Sequence, residues 1–168
     1  MKIIVETERL IIAEAKVEDS KFFKKLLNSP NWLEFIGDRG IKTEKHAENY
    51  IKSSLISSYN SNGYGLYKMC LKQSLQPIGI CGFVKRDYLD HPDIGFATLP
   101  AFEGKGYTYE ACMTLLQYGK KILRLNPILG ITTSENVKSQ RLLTKIGLTE
   151  SGTLKPNSEK EEYLLFST

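Results

Sequence analysis

Along this chain the apolar residues switch repeatedly between the two-residue period of a strand and the longer period of a helix. "ERLIIAEA", residues 8–15, reads as a first strand. Residues 17–29 place Val17, Phe22, Phe23, Leu26 and Leu27 near helical spacing, and Glu18 and Asp19 favour the first turn. Pro30 and Gly37 break the next stretch into a loop or short helix. Thr43 is placed to cap a second helix through about Tyr59, with Ala47, Tyr50, Ile51, Leu55 and Ile56 on its inner side.

"YGLYKMCLK" (64–72) and "PIGICGFVKRD" (77–87) read as strands joined by a short polar loop, and "DIGFATL" (93–99) as a third, ended by Pro100. A helix is predicted from near Gly106 to Leu123, with Tyr107, Ala111, Leu115, Leu116 and Ile122 turned inward. "PILGITT" (127–133) is a strand, and residues 135–147 form a helix stopped by Gly147. "LTESGTL" and "EEYLLFS" close the chain as two strands. The order β-α-α-β-β-β-α-β-α-β-β joins an antiparallel middle to one parallel crossover (93–133). It predicts an α+β fold, a mixed, mostly antiparallel twisted sheet with helices on both faces, in one domain over residues 1–168.

Composition narrows the function classes. Hydrophobic content of 41% and charged content of 25% are those of an ordinary globular domain. The net charge of +4 is dispersed as pairs such as Lys24/Lys25, Lys85/Arg86 and Lys120/Lys121, not gathered into a nucleic-acid stripe. Cys70, Cys81 and Cys112 have no metal-ligand spacing and sit in apolar runs, so they read as reduced core thiols and no metal is expected. Three apolar residues before Glu6 are too few for a signal-peptide core, and no run approaches a membrane span. The expectation is a cytoplasmic protein without nucleic-acid or membrane partners, with monomer and homodimer both open.

The chemistry concentrates in "PAFEGKGYTYEA" (100–111), where Gly104 and Gly106 flank Lys105 just ahead of a helix. The dinucleotide pattern G-x-G-x-x-G fails because Tyr109 stands at the third glycine. A P-loop fails at Leu99, and at Gly106 where Ser or Thr should follow the lysine. The surviving feature is a glycine-bearing turn feeding a helix N-terminus, where free N–H groups attract an anion. From these residues alone, a tight turn and an anion cradle stay equally open.

Taken with "NVKSQRLLTKIGL" (136–148), the stretch "LPAFEGKGYTYEA" resembles the paired motifs of the GCN5-related N-acetyltransferase (GNAT) superfamily. "ETERLIIAEAKVEDS", "GYGLYKMCLKQSLQPIGICGFVKRD" and "DIGFATLP" are similar to the branch typified by ribosomal-protein N-terminal acetyltransferases, so the resemblance runs from about residue 6 to 166. It implies acetyl-CoA as co-substrate and an amine acceptor, a small molecule or a protein N-terminus. Residues 103–108 (Glu103, Gly104, Lys105, Gly106, Tyr107 and Thr108) would wrap the pyrophosphate with main-chain N–H groups. Thr108 departs from the family's Gly or Ala at that position. The strands at 93–99 and 127–133 would splay to admit the pantetheine arm. Thr98 and Leu99 would contact that arm, and Asn136 and Ser139 would meet it from the following helix.

Acetyl transfer to an amine needs a neutral nucleophile, and an amine of pKa near 10.4 costs about 4–5 kcal/mol to deprotonate at pH 7. A positioned base or a negative cavity is the remedy. By the same resemblance Asp93 is the first candidate base, with Glu103, His91 and Asp87 as alternatives, although "DHPD" (90–93) also reads as a turn. The tyrosine with which many members protonate the departing sulfur is Leu143 here, which leaves Ser139 as the available hydroxyl. Residues 29–43 and 63–65 would form the acceptor side, with Trp32, Phe35 and Tyr64 lining it. A CoA-binding sensor or interaction protein that kept the fold without turnover is the competing reading.

Overall fold

The computed structural model describes residues 1–157 and 161–168. One eight-stranded sheet carries β1 (Ile3–Glu6), β2 (Leu10–Ala13), β3 (Leu66–Leu71), β4 (Pro77–Val84), β5 (Asp93–Thr98), β6 (Leu129–Thr132), β7 (Thr149–Leu154) and β8 (Tyr163–Ser167) in the order β1-β2-β3-β4-β5-β6-β8-β7. Every neighbouring pair is antiparallel except β5 with β6, as the strand order predicts. The helices are α1 (Ser20–Leu26), α2 (Pro30–Phe35), α3 (Glu44–Tyr50), α4 (Ser57–Asn62), α5 (Tyr107–Lys121) and α6 (Val137–Lys145). None of the helices described is long and apolar enough to cross a membrane.

The pleat of β4 assigns helices to both faces. Cys81 and Phe83 point to α5: the Cys81 Sγ lies 3.4 Å from the Cys112 Sγ, and a Cβ on Gly119 would stand 2.6 Å from the Phe83 ring. Ile80 faces the other way, and Lys68, its cross-strand partner, shares that face. There the Lys68 Nζ meets the Asp19 Oδ1 at 2.5 Å, at the entrance to α1. Both central strands are therefore covered on both sides. All three cysteines are buried free thiols, as the apolar runs around them predict.

Three local features depart from the sequence reading. The expected first strand is a hairpin, β1 with β2, because Thr7 closes the turn: its N–H donates to the Leu10 carbonyl (2.9 Å) and its Oγ1 accepts from the Leu10 N–H (2.8 Å). The second helix starts where expected, with the Thr43 hydroxyl accepting from the His46 N–H at 3.1 Å. It then loosens into a π-helical stretch over Ile51–Ile56 before α4, and Gly63 ends it in the left-handed conformation. Ile122, expected inward, is 66% exposed because α5 ends one residue earlier.

The Asp19–Lys68 pair tests how the α1 layer is held. The Lys68 side chain is buried and that of Asp19 nearly so, and Asp19 also accepts the Lys16 N–H. Lys68→Met alone should cost about 3–5 kcal/mol, because it strands a buried carboxylate, whereas Asp19→Asn with Lys68→Met should recover most of that loss. Urea denaturation of both variants measures it; equal losses would show that packing, not the unpaired charge, sets the cost.

Candidate active site

The parallel pair is barely a pair. β5 and β6 share one ladder position, Asp93 with Leu129, where the Leu129 N–H donates to the Pro92 carbonyl at 3.0 Å. On its other side β5 stays in full register with β4 from Asp93 to Thr98. The Leu99 N–H points back to β4, donating to the Ile78 carbonyl at 2.8 Å. Alternation along the strand therefore turns the N–H and C=O groups of Phe96 and Thr98 toward the gap, where no strand answers them. Thr98, Ile131, Thr132 and Asn136 line this gap within one continuous cleft of about 1280 Å³. That exceeds the ~300–1,000 Å³ of ordinary small-molecule sites and suits a long ligand.

At one end of the gap lies the glycine turn. Gly104 (φ +70°) and Gly106 (φ +80°) both occupy the left-handed region, and Gly106 is the N-cap of α5. The first helical bond runs from the Glu110 N–H to the Gly106 carbonyl (3.0 Å), so the N–H groups of Tyr107, Thr108 and Tyr109 have no partner within the helix. A Cβ on Gly104 would meet nothing within 4 Å. The turn thus needs glycine for its backbone angles and also leaves open space over the main chain. Thr108 is accommodated by sharing a 2.8 Å hydrogen bond with the Thr98 hydroxyl, which ties the helix start to the end of β5.

On the far wall, the Asn136 Oδ1 caps α6 by accepting the Ser139 N–H at 3.2 Å, and both side chains line the cleft. Glu103 lines it too and spans two walls, accepting from Asn31 of α2 and from Lys138 Nζ of α6. Leu143 is 1% exposed, packed where a Cβ on Gly130 would stand 2.7 Å from its Cδ2. Three residues expected around the cofactor turn their side chains away from the cleft. Leu99 is in the core with its N–H spent on β4, the Lys105 ammonium sits over the Phe102 ring at 5.5 Å, and Tyr107 packs beneath Arg9. Their side chains are not part of the cleft lining.

The acceptor end of the cleft is walled by Trp32, Phe35, Tyr50, Ser54 of the π-helical stretch and the serines of α4. Trp32 is 4% exposed, and its indole N–H is buried without a hydrogen-bond partner among the described residues. Burial pushes the Tyr50 hydroxyl upward in pKa and the nearby Arg39 guanidinium pulls it partly back. Tyr64, expected here, instead packs edge-on against Phe83, and neither Asp87 nor His91 reaches the cleft. Asp93 does reach it, at the point where β5 and β6 part. Its two oxygens accept from Arg86, Nε at 2.8 Å and Nη2 at 3.3 Å. Burial raises the Asp93 carboxyl above its ordinary range, against the pull of Arg86. The carboxylates lining the cleft among the described residues are Asp38, Asp93 and Glu103, and each has a cationic partner. The negative cavity considered from sequence is not built here.

Arg9 is the residue that sequence reading missed. Its Nε binds the Glu110 Oε2 at 2.6 Å and its backbone N–H the Oε1 at 2.9 Å, while Nη1 donates to the Lys105 carbonyl at 3.0 Å. The guanidinium also lies 4.5 Å from the Tyr107 ring centre. Burial alone would raise the Glu110 carboxyl, but hydrogen bonds from Thr7 and Arg9 bring it below its ordinary value. Arg9 thereby staples the β1–β2 turn onto the glycine loop. Its partners lie about a hundred residues away in sequence, so no local pattern announces it.

The sequence profile of the acetyltransferase (GNAT) domain matches residues 9–149. The uncharacterised N-acetyltransferase YnaD of Bacillus subtilis is 26% identical over 151 residues, covering 90% of this chain and 85% of its own length. The fold superposes on RimL, a ribosomal L7/L12 alpha-N-protein acetyltransferase solved with coenzyme A, with a TM-score of 0.84 at 14% identity, covering 99% of this chain and 97% of that one. It also superposes on the microcin C7 self-immunity acetyltransferase MccE solved with acetyl-CoA and AMP, with a TM-score of 0.80 at 18% identity over 96% of this chain and 93% of that one. The family match spans the glycine loop and the splayed strands together, and on that ground the chain belongs to the GNAT acetyltransferase family.

Proposed function

We propose that this N-acetyltransferase moves the acetyl group of acetyl-CoA directly onto a primary amine, a small molecule or a protein N-terminus, inside the cleft between β5 and β6. The observation that carries the reading is the single ladder contact at Asp93 and Leu129, which leaves a row of unanswered backbone groups leading to a glycine loop. Acetyl-CoA supplies the thioester. The N-terminal N–H groups of α5 and the open main chain at Gly104 suit its pyrophosphate. Phe96 and Thr98 suit the amides of its pantetheine arm, and the Asn136 side-chain amide, whose oxygen is already spent on the cap, can donate to that arm.

In the transfer, the acceptor nitrogen forms a bond to the acetyl carbonyl carbon as the carbon–sulfur bond breaks. The acceptor must arrive neutral. Asp93 is committed to Arg86 and the other cleft carboxylates are also ion-paired, so the reading gives the ammonium proton to water at the open acceptor end. Asp93 then acts as a positioning residue that fixes Arg86. In this reading Ser139, half-buried on the cleft wall of α6, relays to the departing sulfur the second proton that the nitrogen gives up on acylation.

Two experiments test the donor half. Acetyl-CoA at a hundred times its Kd should stabilise the protein by about 2.7 kcal/mol, read as a rise in Tm, and CoA release should appear with at least one primary amine. Binding without release across a broad amine panel would favour the sensor reading. Gly104→Asn keeps the left-handed angle accessible while filling the open space. It should therefore abolish the acetyl-CoA shift and leave the unliganded Tm within a few degrees. Normal acetyl-CoA binding by Gly104→Asn would reduce the turn to a purely conformational one.

The proton route makes a separate forecast. Asp93→Asn breaks a partly buried ion pair and should cost about 2–4 kcal/mol of stability, a little under the fully buried case because Arg86 reaches water. Its kcat/KM should keep the wild-type dependence on pH, rising about tenfold per unit as the amine deprotonates. A hundredfold loss of kcat that returns at high pH would instead identify Asp93 as the general base.

A further inference from the structure

Charge in the acceptor end of the cleft is one-sided. The carboxylates among its described lining residues are already spent: Asp38 on Lys42 and the Gly40 N–H, and Asp93 on Arg86. Arg39 lines the same space, is exposed, and has no hydrogen bond or ion pair among the described residues. It stands between α2 and α3, and its charge is felt at the Tyr50 hydroxyl. Lys85, at the end of β4, is likewise unpaired and lines the cleft.

The uncharged groups on this wall are also donors. Ser54, Ser57 and Ser61 line the cleft and show no bonded partner among the described residues, whereas Ser58, between them, is turned to the Tyr64 carbonyl at 2.8 Å. They belong to the helix whose π-helical turn interrupts the regular spacing, a distortion that recurs at functional sites. Trp32 adds an independent sign. A side chain 4% exposed holds an indole N–H with no acceptor among the described residues, and native interiors rarely leave such a donor unpaired. An entering oxygen would relieve it.

Resting on the acetyl-transfer reading above, we infer that the acceptor is an amine carrying an anionic group, a carboxylate or phosphate, which Arg39 binds while the amine faces the splayed strands. A guanidinium presents a planar fork of donors that fits either oxyanion. A polycationic acceptor would meet unpaired Arg39 and Lys85 with no free carboxylate to offset them, so polyamines are selected against by the same residues.

The test compares kcat/KM for three short amines of similar length: propylamine, 3-aminopropionate and 2-aminoethyl phosphate. At least one anionic amine should exceed propylamine by tenfold or more, and the better of the two tells carboxylate from phosphate. Arg39→Gln should remove most of that preference by raising KM while leaving the acetyl-CoA Kd unchanged, and Arg39→Lys should restore part of it. Equal turnover of all three amines, or a preference that survives Arg39→Gln, overturns the inference, as does turnover of none while acetyl-CoA binds normally. Loss of acetyl-CoA binding itself would instead bring down the acetyl-transfer reading, so the two failures are told apart by the calorimetric Kd.

Discussion

The proposed acetyl transfer depends on two neighbouring strands that stop bonding after one ladder position. A parallel pair in mid-sheet normally satisfies every inner backbone group, and an unpaired buried amide is expensive. Here β5 turns the groups of Phe96 and Thr98 toward β6 and receives no reply. The sheet tolerates this because each strand is secured on its other side: β5 on β4 through six register positions, and β6 on β8 through four. The gap is thus held open by well-paired flanks, and in the proposed reading a ligand with its own amides completes it.

The second constraint is the shape of the glycine loop, which the proposed reading assigns to the ligand's charged end. Two left-handed glycines in three residues form an adaptable segment with high conformational entropy when free. Arg9 limits that freedom from outside, holding the Lys105 carbonyl, the Glu110 carboxylate and the Tyr107 ring at once. Thr108 and Thr98 fasten the same loop to β5 from inside. The loop is therefore held on both sides before any ligand arrives, which lowers the ordering cost of binding.

Much of this was legible in the sequence where the cause is local. Gly104 and Gly106 announce themselves because few other residues fit a left-handed turn ahead of a helix, and Thr43 and Asn136 because caps have a short chemical vocabulary. The strand and helix periods gave the α+β class and the antiparallel middle of the sheet. The hidden features were set by distance. Arg9 meets partners about a hundred residues away, and Arg86 reaches Asp93 only because β4 and β5 fold back on each other. The β1–β2 turn has neither glycine nor proline, since the Thr7 side chain performs the closure, so residues 8–15 looked like the whole strand. Tyr64 looked like pocket lining because an aromatic at a strand start fits either role until Phe83 is seen beside it.

Leu143 bears on whether the site can turn over. It is buried against β6 beside Gly130, one helical turn beyond Ser139, so it fills space under the cleft wall and offers no proton. The two proton transfers are not equally demanding, however. An alkylamine near pKa 10.4 is mostly blocked at neutral pH, whereas a thiol near pKa 8.5 leaves as a comparatively stable anion. The sulfur needs far less help from an acid than the amine needs in losing its proton. A hydroxyl such as Ser139, or water, is adequate for the weaker demand. On the proposed reading, the absence of a tyrosine therefore limits the rate less than the pairing of Asp93 with Arg86 does, and the acceptor's own basicity becomes the main determinant of turnover.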